Sequence, residues 1–80
     1  MLEKTKAKAT KTIEEVMGIS IAKIDPKAPL NTISEWDSFN NLMLISKFQE
    51  EYNIEFTALE IENAKTLADV FALLDKKIKQ

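Results

Sequence analysis

Gly18 is the single glycine among 80 residues, and Pro26 and Pro29 are the only prolines. A chain so thinly punctuated has few places to turn sharply, and it shows little sustained period-two alternation, so helices must order its apolar residues. The expected fold class is all-α: a small four-helix bundle with a long loop between helices 1 and 2 and a short third helix. At 9.1 kDa, residues 1–80 are expected to form a single domain. Apolar residues at 45% supply a core, although a chain this short buries only ~60% of its unfolded surface and keeps little surplus stability.

The first helix is expected from Leu2 or Glu3 to Met17, with Ala9, Ile13, Val16 and Met17 on one side and Gly18 as its stop. Thr12 with Glu15 also fits a capping box, which would start the helix later and leave the lysine-rich segment frayed. From Ile19 to Asp37 runs a long connection holding both prolines. Ile19, Ile21, Ile24, Leu30, Ile33 and Trp36 are too apolar for a solvent loop, so this connection should cross the bundle and cover its core.

The second helix should open at Asp37-Ser38, both able to cap first-turn amides, and run to about Tyr52. Leu44, Ile45, Phe48 and Tyr52 follow the spacing of a buried stripe. Phe39, Leu42 and Met43 are candidates for an exposed apolar patch, Leu42 fitting patch or core equally well. Thr57 with Glu60 makes a capping box for a short helix through Leu59 and Ile61 to about Asn63. Thr66 with Asp69 makes a related cap for the last, in which Leu67, Val70, Phe71, Leu74 and Ile78 repeat at helical spacing. Lys76, Lys77 and Lys79 suit its C-terminal dipole.

Chemistry is narrowed by three absences. There is no cysteine and no histidine, and lysine supplies all 11 positive charges, so arginine is missing too. The usual general base near neutral pH, the commonest metal ligand and the bidentate phosphate clamp are therefore lacking, and the chain is not expected to be an enzyme or to hold a metal. One glycine cannot build a phosphate-cradling loop. A calcium loop starting at Asp25 would put Lys27 and Pro29 at liganding positions and Trp36 where a bidentate glutamate belongs. Glu50 and Glu51 are adjacent on a helix and so point apart.

Against 13 acids the net charge is -2, which argues against nucleic-acid binding. The charge is unevenly placed: Lys4, Lys6, Lys8 and Lys11 oppose only Glu3 at the start. Glu35, Asp37, Glu50, Glu51, Glu55, Glu60 and Glu62 oppose only Lys47 in the middle. No apolar run approaches the ~20 residues that cross a bilayer, and the lysine-rich start lacks the apolar part of a secretory signal, so a cytoplasmic protein without membrane insertion is expected.

One constellation remains, Trp36-Asp37-Ser38-Phe39, which sets a serine hydroxyl where a long loop meets an apolar helix. A phosphate ester on Ser38 would lie against free amides and the positive end of the helix dipole, worth roughly 0.3 to 1 kcal/mol. Ser38 has no base of its own, so any reaction at its hydroxyl needs another protein. Asp37 and Ser38 also read simply as caps, and the dipeptide alone favours that.

The whole arrangement from Thr12 to Leu74 resembles an acyl carrier protein: a first helix ending at Gly18, a long loop, Asp-Ser opening an apolar helix that ends in Glu50-Glu51-Tyr52, a short third helix and a closing fourth. Ile54, Glu55, Phe56 and Thr57 are similar to the segment leading into that family's third helix. In the family the serine of an Asp-Ser-Leu motif receives 4'-phosphopantetheine from coenzyme A through a separate magnesium-dependent phosphopantetheinyl transferase. The resemblance makes Ser38 the attachment site and Asp37 the residue that caps the helix and presents it. The arm's thiol then carries acyl or aminoacyl groups as thioesters, in place of the missing cysteine. Implied partners are the transferase, an acyl-loading ligase or transferase, and downstream synthase or acyltransferase enzymes, met by a monomeric carrier in fatty-acid, polyketide or related biosynthesis.

The family can shelter an acyl chain among its core side chains, and by that likeness Leu44, Phe48, Phe56, Ile61, Leu67 and Phe71 are the candidate pocket walls, filled by close packing when unloaded. Departures bear on the pathway. Phe39 replaces the usual leucine, Trp36 stands where the fatty-acid-synthesis type generally has a small residue, and Asn40, Asn41 and Met43 occupy a stretch that is acidic in that type. Charge complementarity steers partner choice, so docking is expected through Phe39, Leu42 and Met43 with Glu50 and few other ion pairs. The Trp-Asp-Ser element is similar to specialised stand-alone carriers, with primary fatty-acid synthesis open. The alternative is an unmodified helical adaptor, which Ser38→Ala would leave functional.

Overall fold

The computed structural model describes residues 1–79. Among them are four α-helices, α1 (Glu3–Met17), α2 (Ser38–Tyr52), α3 (Ala58–Asn63) and α4 (Leu67–Ile78), with two 3-10 turns, Ile21–Lys23 and Leu30–Thr32, in the α1–α2 connection. The fold is the expected all-α bundle with a short third helix.

Helix α1 keeps its longer form. Thr12 does not cap a late start; it is buried in mid-helix, where its hydroxyl donates to Glu51 Oε1 on α2 at 3.0 Å, with the Lys8 carbonyl at 3.2 Å as the other acceptor within reach. Ala9, Ile13 and Met17 share that buried side. Gly18 ends the helix at φ 70°, its N–H donating to the Glu14 carbonyl at 2.9 Å, a left-handed conformation that any Cβ would strain. Glu14 also accepts from the Ile21 N–H at 2.8 Å and so fixes where the chain goes next.

The long connection covers the core. Ile24, Leu30 and Trp36 are buried, and Ile19, Ile21 and Ile33 pack against the same cluster. Burial of a connection requires partners for its polar backbone. Here the Leu30 N–H donates to the Lys65 carbonyl at 2.8 Å, and the Ala68 N–H donates to the Pro26 carbonyl at 3.0 Å. An isolated bridge between Pro29 and Thr66 lies between these bonds. The strap is thereby tied to the start of α4.

Helix α2 ends at Asn53, at φ 53°, and Gln49 Oε1 then accepts from the Phe56 N–H at 3.0 Å, turning the chain into α3. Both capping boxes form: Thr57 with Glu60 on α3, and Thr66 with Asp69 on α4. The short α3 is joined to α4 by the Glu60–Lys77 ion pair at 2.9 Å. That contact, with the Thr57 N–H, holds the Glu60 carboxyl down at about 2. Among the described residues no helix is long and apolar enough to cross a membrane.

Candidate functional site

Ser38 is the first residue of α2 and is exposed. Asp37 precedes it in extended conformation, and its Oδ1 accepts from the Asn40 N–H at 2.8 Å. The amides of Ser38 and Phe39 head the helix with no intrahelical carbonyl to bond. The local sequence dictates this arrangement: an aspartate cap fixes where the helix starts, and the start puts the hydroxyl at its positive end.

Two side-chain hydrogen bonds hold the segment before the serine. The Trp36 indole N–H donates to Asn41 Oδ1 at 2.9 Å, and Asn40 Nδ2 donates to the Glu35 carbonyl at 2.9 Å. Trp36 itself is only 7% exposed. The loop on one side of Ser38 and the first turn of α2 on the other therefore form one braced unit.

An open groove of about 290 Å³ runs beside Ser38, with Pro29, Leu30 and Asn31 of the strap among its walls. Sharing walls with it, between α2, α3 and α4, lies a small apolar cavity of about 30 Å³. Leu44, Phe48, Phe56 and Ile61 line this cavity. Leu67 and Phe71 do not; they line a separate groove of about 430 Å³ reaching Lys6 and Thr10 on α1 and Ile21 and Ile24 of the connection. Instead Val70 and Leu73 complete the α4 wall. At 100° per residue, Val70 and Leu73 lie roughly a quarter-turn round α4 from Leu67 and Phe71, so α4 is apolar on two adjoining sides that serve different spaces.

Sequence reasoning also missed Trp36, Asn41, Ile45 and Ala64 among the cavity walls. Asn41 had a signal: it falls on the Leu44, Ile45, Phe48 stripe, and a polar residue on an apolar stripe needs a partner.

On the opposite face of α2, Phe39 is 71% and Leu42 63% exposed, and Met43 is more than one-third exposed. Glu50 is exposed two turns along from Met43 on the same face. Leu59, read from the sequence as part of the short helix and not of a surface patch, is also exposed on α3.

No family model matches the chain. It is 30% identical over 77 residues to an acyl carrier protein of Buchnera aphidicola subsp. Baizongia pistaciae (strain Bp), a match covering 96% of this chain and 99% of that protein. Its fold superposes on the solution structure of a holo acyl carrier protein from Geobacter metallireducens with a TM-score of 0.77 at 26% identity, over 91% of this chain and 84% of that one. With a relative 30% identical over nearly its full length on one side and the same helical bundle on the other, the chain belongs to the acyl carrier protein family.

Proposed function

We propose that the chain carries acyl or aminoacyl groups on a 4'-phosphopantetheine arm esterified to Ser38, as a single cytoplasmic carrier domain acting as a monomer. The observation that carries this reading is an exposed serine at the first position of α2, set beside an open groove of about 290 Å³. The residues present fit the group: its phosphate would lie at the helix N-terminus, where free amides and the dipole favour an anion. Asp37 fixes that terminus through its bond to Asn40. The arm supplies a thiol on which cargo is held as a thioester.

The chain's own residues present and dock. Asp37 holds Ser38 at the surface for a phosphopantetheinyl transferase and helps present the metal that enzyme brings. Phe39, Leu42 and Met43, with Glu50 at their edge, meet the loading and accepting enzymes by apolar contact more than by ion pairs. Trp36 and the sparsely acidic start of α2 favour a specialised polyketide, nonribosomal or related pathway over primary fatty-acid synthesis.

The test is to incubate the full chain with coenzyme A, magnesium and a broad-specificity phosphopantetheinyl transferase and to record intact mass beside Ser38→Ala. A gain of one phosphopantetheine in the parent and none in the variant is expected. A folded parent that gains nothing, while a known carrier is modified alongside, would overturn the reading in favour of an unmodified adaptor that binds through the exposed α2 face.

A further inference from the structure

The groove beside Ser38 and the small apolar cavity share three lining residues, Trp36, Asn41 and Ala64. They are the border that the two spaces share. Two of them are joined across it by the Trp36 indole to Asn41 Oδ1 hydrogen bond at 2.9 Å. Ser38 lines the outer space of about 290 Å³ and not the inner one of about 30 Å³, so a substituent on Ser38 meets the roomier side first.

We propose that Trp36, held by Asn41, is a specificity-determining residue that keeps the carried group in the outer groove, and that the carrier therefore serves short or polar acyl cargo rather than long alkyl chains. This rests on Ser38 being the attachment site. Three observations support it. An alkyl chain passing from the groove into the cavity between Trp36 and Asn41 has to break the hydrogen bond that joins them and crowd a nearly buried indole. The same chain has to pass the Asn41 amide, a polar group that gains nothing from it. The outer groove, by contrast, offers Asn31, Asp37 and Asn41 side chains that can hydrogen-bond a polar cargo.

Asn40 adds to the closure by tying its amide to the Glu35 carbonyl one residue before the indole. The other walls of the cavity are apolar, Leu44, Phe48 and Val70 among them, so the polar groups an alkyl chain meets lie on the border with the groove. Removing the indole should convert an excluding carrier into one that shelters alkyl chains.

The experiment loads the full chain at Ser38 from acetyl- or octanoyl-coenzyme A with the transferase and verifies each product by intact mass. The rate at which hydroxylamine cleaves each thioester is then measured relative to the same thioester on free coenzyme A. In the parent both rates are expected to match their free counterparts. The indole N–H resonance, unique because the chain has one tryptophan, should be the same for both cargoes. In Trp36→Ala and in Trp36→Phe, which keeps a ring to preserve the fold, the octanoyl group should react more slowly than its free counterpart, because loss of one hydrogen bond shifts its inside-to-outside ratio about fivefold relative to the parent. The acetyl group should be unaffected.

An octanoyl group protected in the parent, with a displaced indole resonance, would overturn the proposal. So would an octanoyl group left unprotected in both folded variants. A parent that gains no mass at Ser38 would instead overturn the carrier reading itself, and the inference with it.

Discussion

The Thr12 hydroxyl on α1 donates to Glu51 Oε1 on α2 at 3.0 Å, joining residues 39 positions apart in the sequence. Thr12 is buried, while Glu51 stays exposed enough to keep water and has Lys8 Nζ at 4.0 Å. Replacing the hydroxyl by a methyl of like shape removes the bond without stranding a buried partner. Thr12→Val should therefore cost about 1 kcal/mol or less. The denaturant midpoint measures it, and a loss much beyond that would mean Thr12 organises more of the α1–α2 contact than one bond.

Tyr52, one residue beyond Glu51, carries a buried hydroxyl with no hydrogen-bond partner among the described residues. Burial, followed by the Glu51 charge, pushes its phenol above the usual range. Its ring packs on Phe48 at 6.1 Å between centroids and lies under Lys8 Nζ at 5.6 Å, and a phenylalanine would keep both contacts. Tyr52→Phe should thus be neutral or stabilising by up to ~1 kcal/mol, since it relieves an unpaired buried group. A clear drop in thermal midpoint would show that the hydroxyl has a partner in solution.

These two residues also mark where sequence stops being legible. The caps at Asp37, Thr57 and Thr66 and the stop at Gly18 were readable because each is local, a side chain or glycine acting within four residues of itself. The long connection was recognisable as a cover because water would not tolerate its isoleucines and tryptophan. Thr12 was not readable as an inter-helix donor, because the residue that decides its role lies on another helix. For the same reason the family likeness put Leu67 and Phe71 among the pocket walls, whereas Val70 and Leu73 line the cavity. The stripe on a helix states how much of it is buried, and only the packing of neighbours divides that stripe between spaces.

The α3–α4 contact gives a pH dependence of known sign. Glu60 is held at about 2 in the folded chain by Lys77 and the Thr57 N–H, against an ordinary value of 4.5. A carboxylate with a depressed folded pKa contributes stability that is present above 4.5 and is lost as pH falls through about 2. Glu60→Gln keeps an oxygen for the Thr57 N–H and removes the charge. Its deficit in thermal midpoint relative to the parent should be constant above that window, shrink through it, and disappear below it. A deficit that persists unchanged at pH 2 would show that packing rather than the ion pair with Lys77 joins the helices.

The exposed face of α2 predicts which substitutions spare the fold and harm docking. Met43 is partly exposed, with exposed Phe39 one turn before it and Glu50 two turns after. Met43→Glu places a charge where an apolar contact is expected, so the holo protein should bind its loading enzyme about tenfold more weakly, as for a residue near the centre of an interface. The unfolding midpoint should change little. Unchanged affinity for every partner enzyme would remove this face from the docking surface.

Asp37 separates capping from presentation. Its Oδ1 bond to the Asn40 N–H needs an oxygen but no charge, so Asp37→Asn should keep the stability of the parent, whereas Asp37→Ala should lose about 1 kcal/mol as an uncapped helix does. If Asp37 also presents Ser38 and the transferase's metal, both variants should be modified more slowly by the phosphopantetheinyl transferase, because neither retains the carboxylate. Comparing loading rates with midpoints across the three proteins distinguishes the roles. An Asp37→Asn variant that loads as fast as the parent while the alanine variant lags would confine Asp37 to holding the helix start.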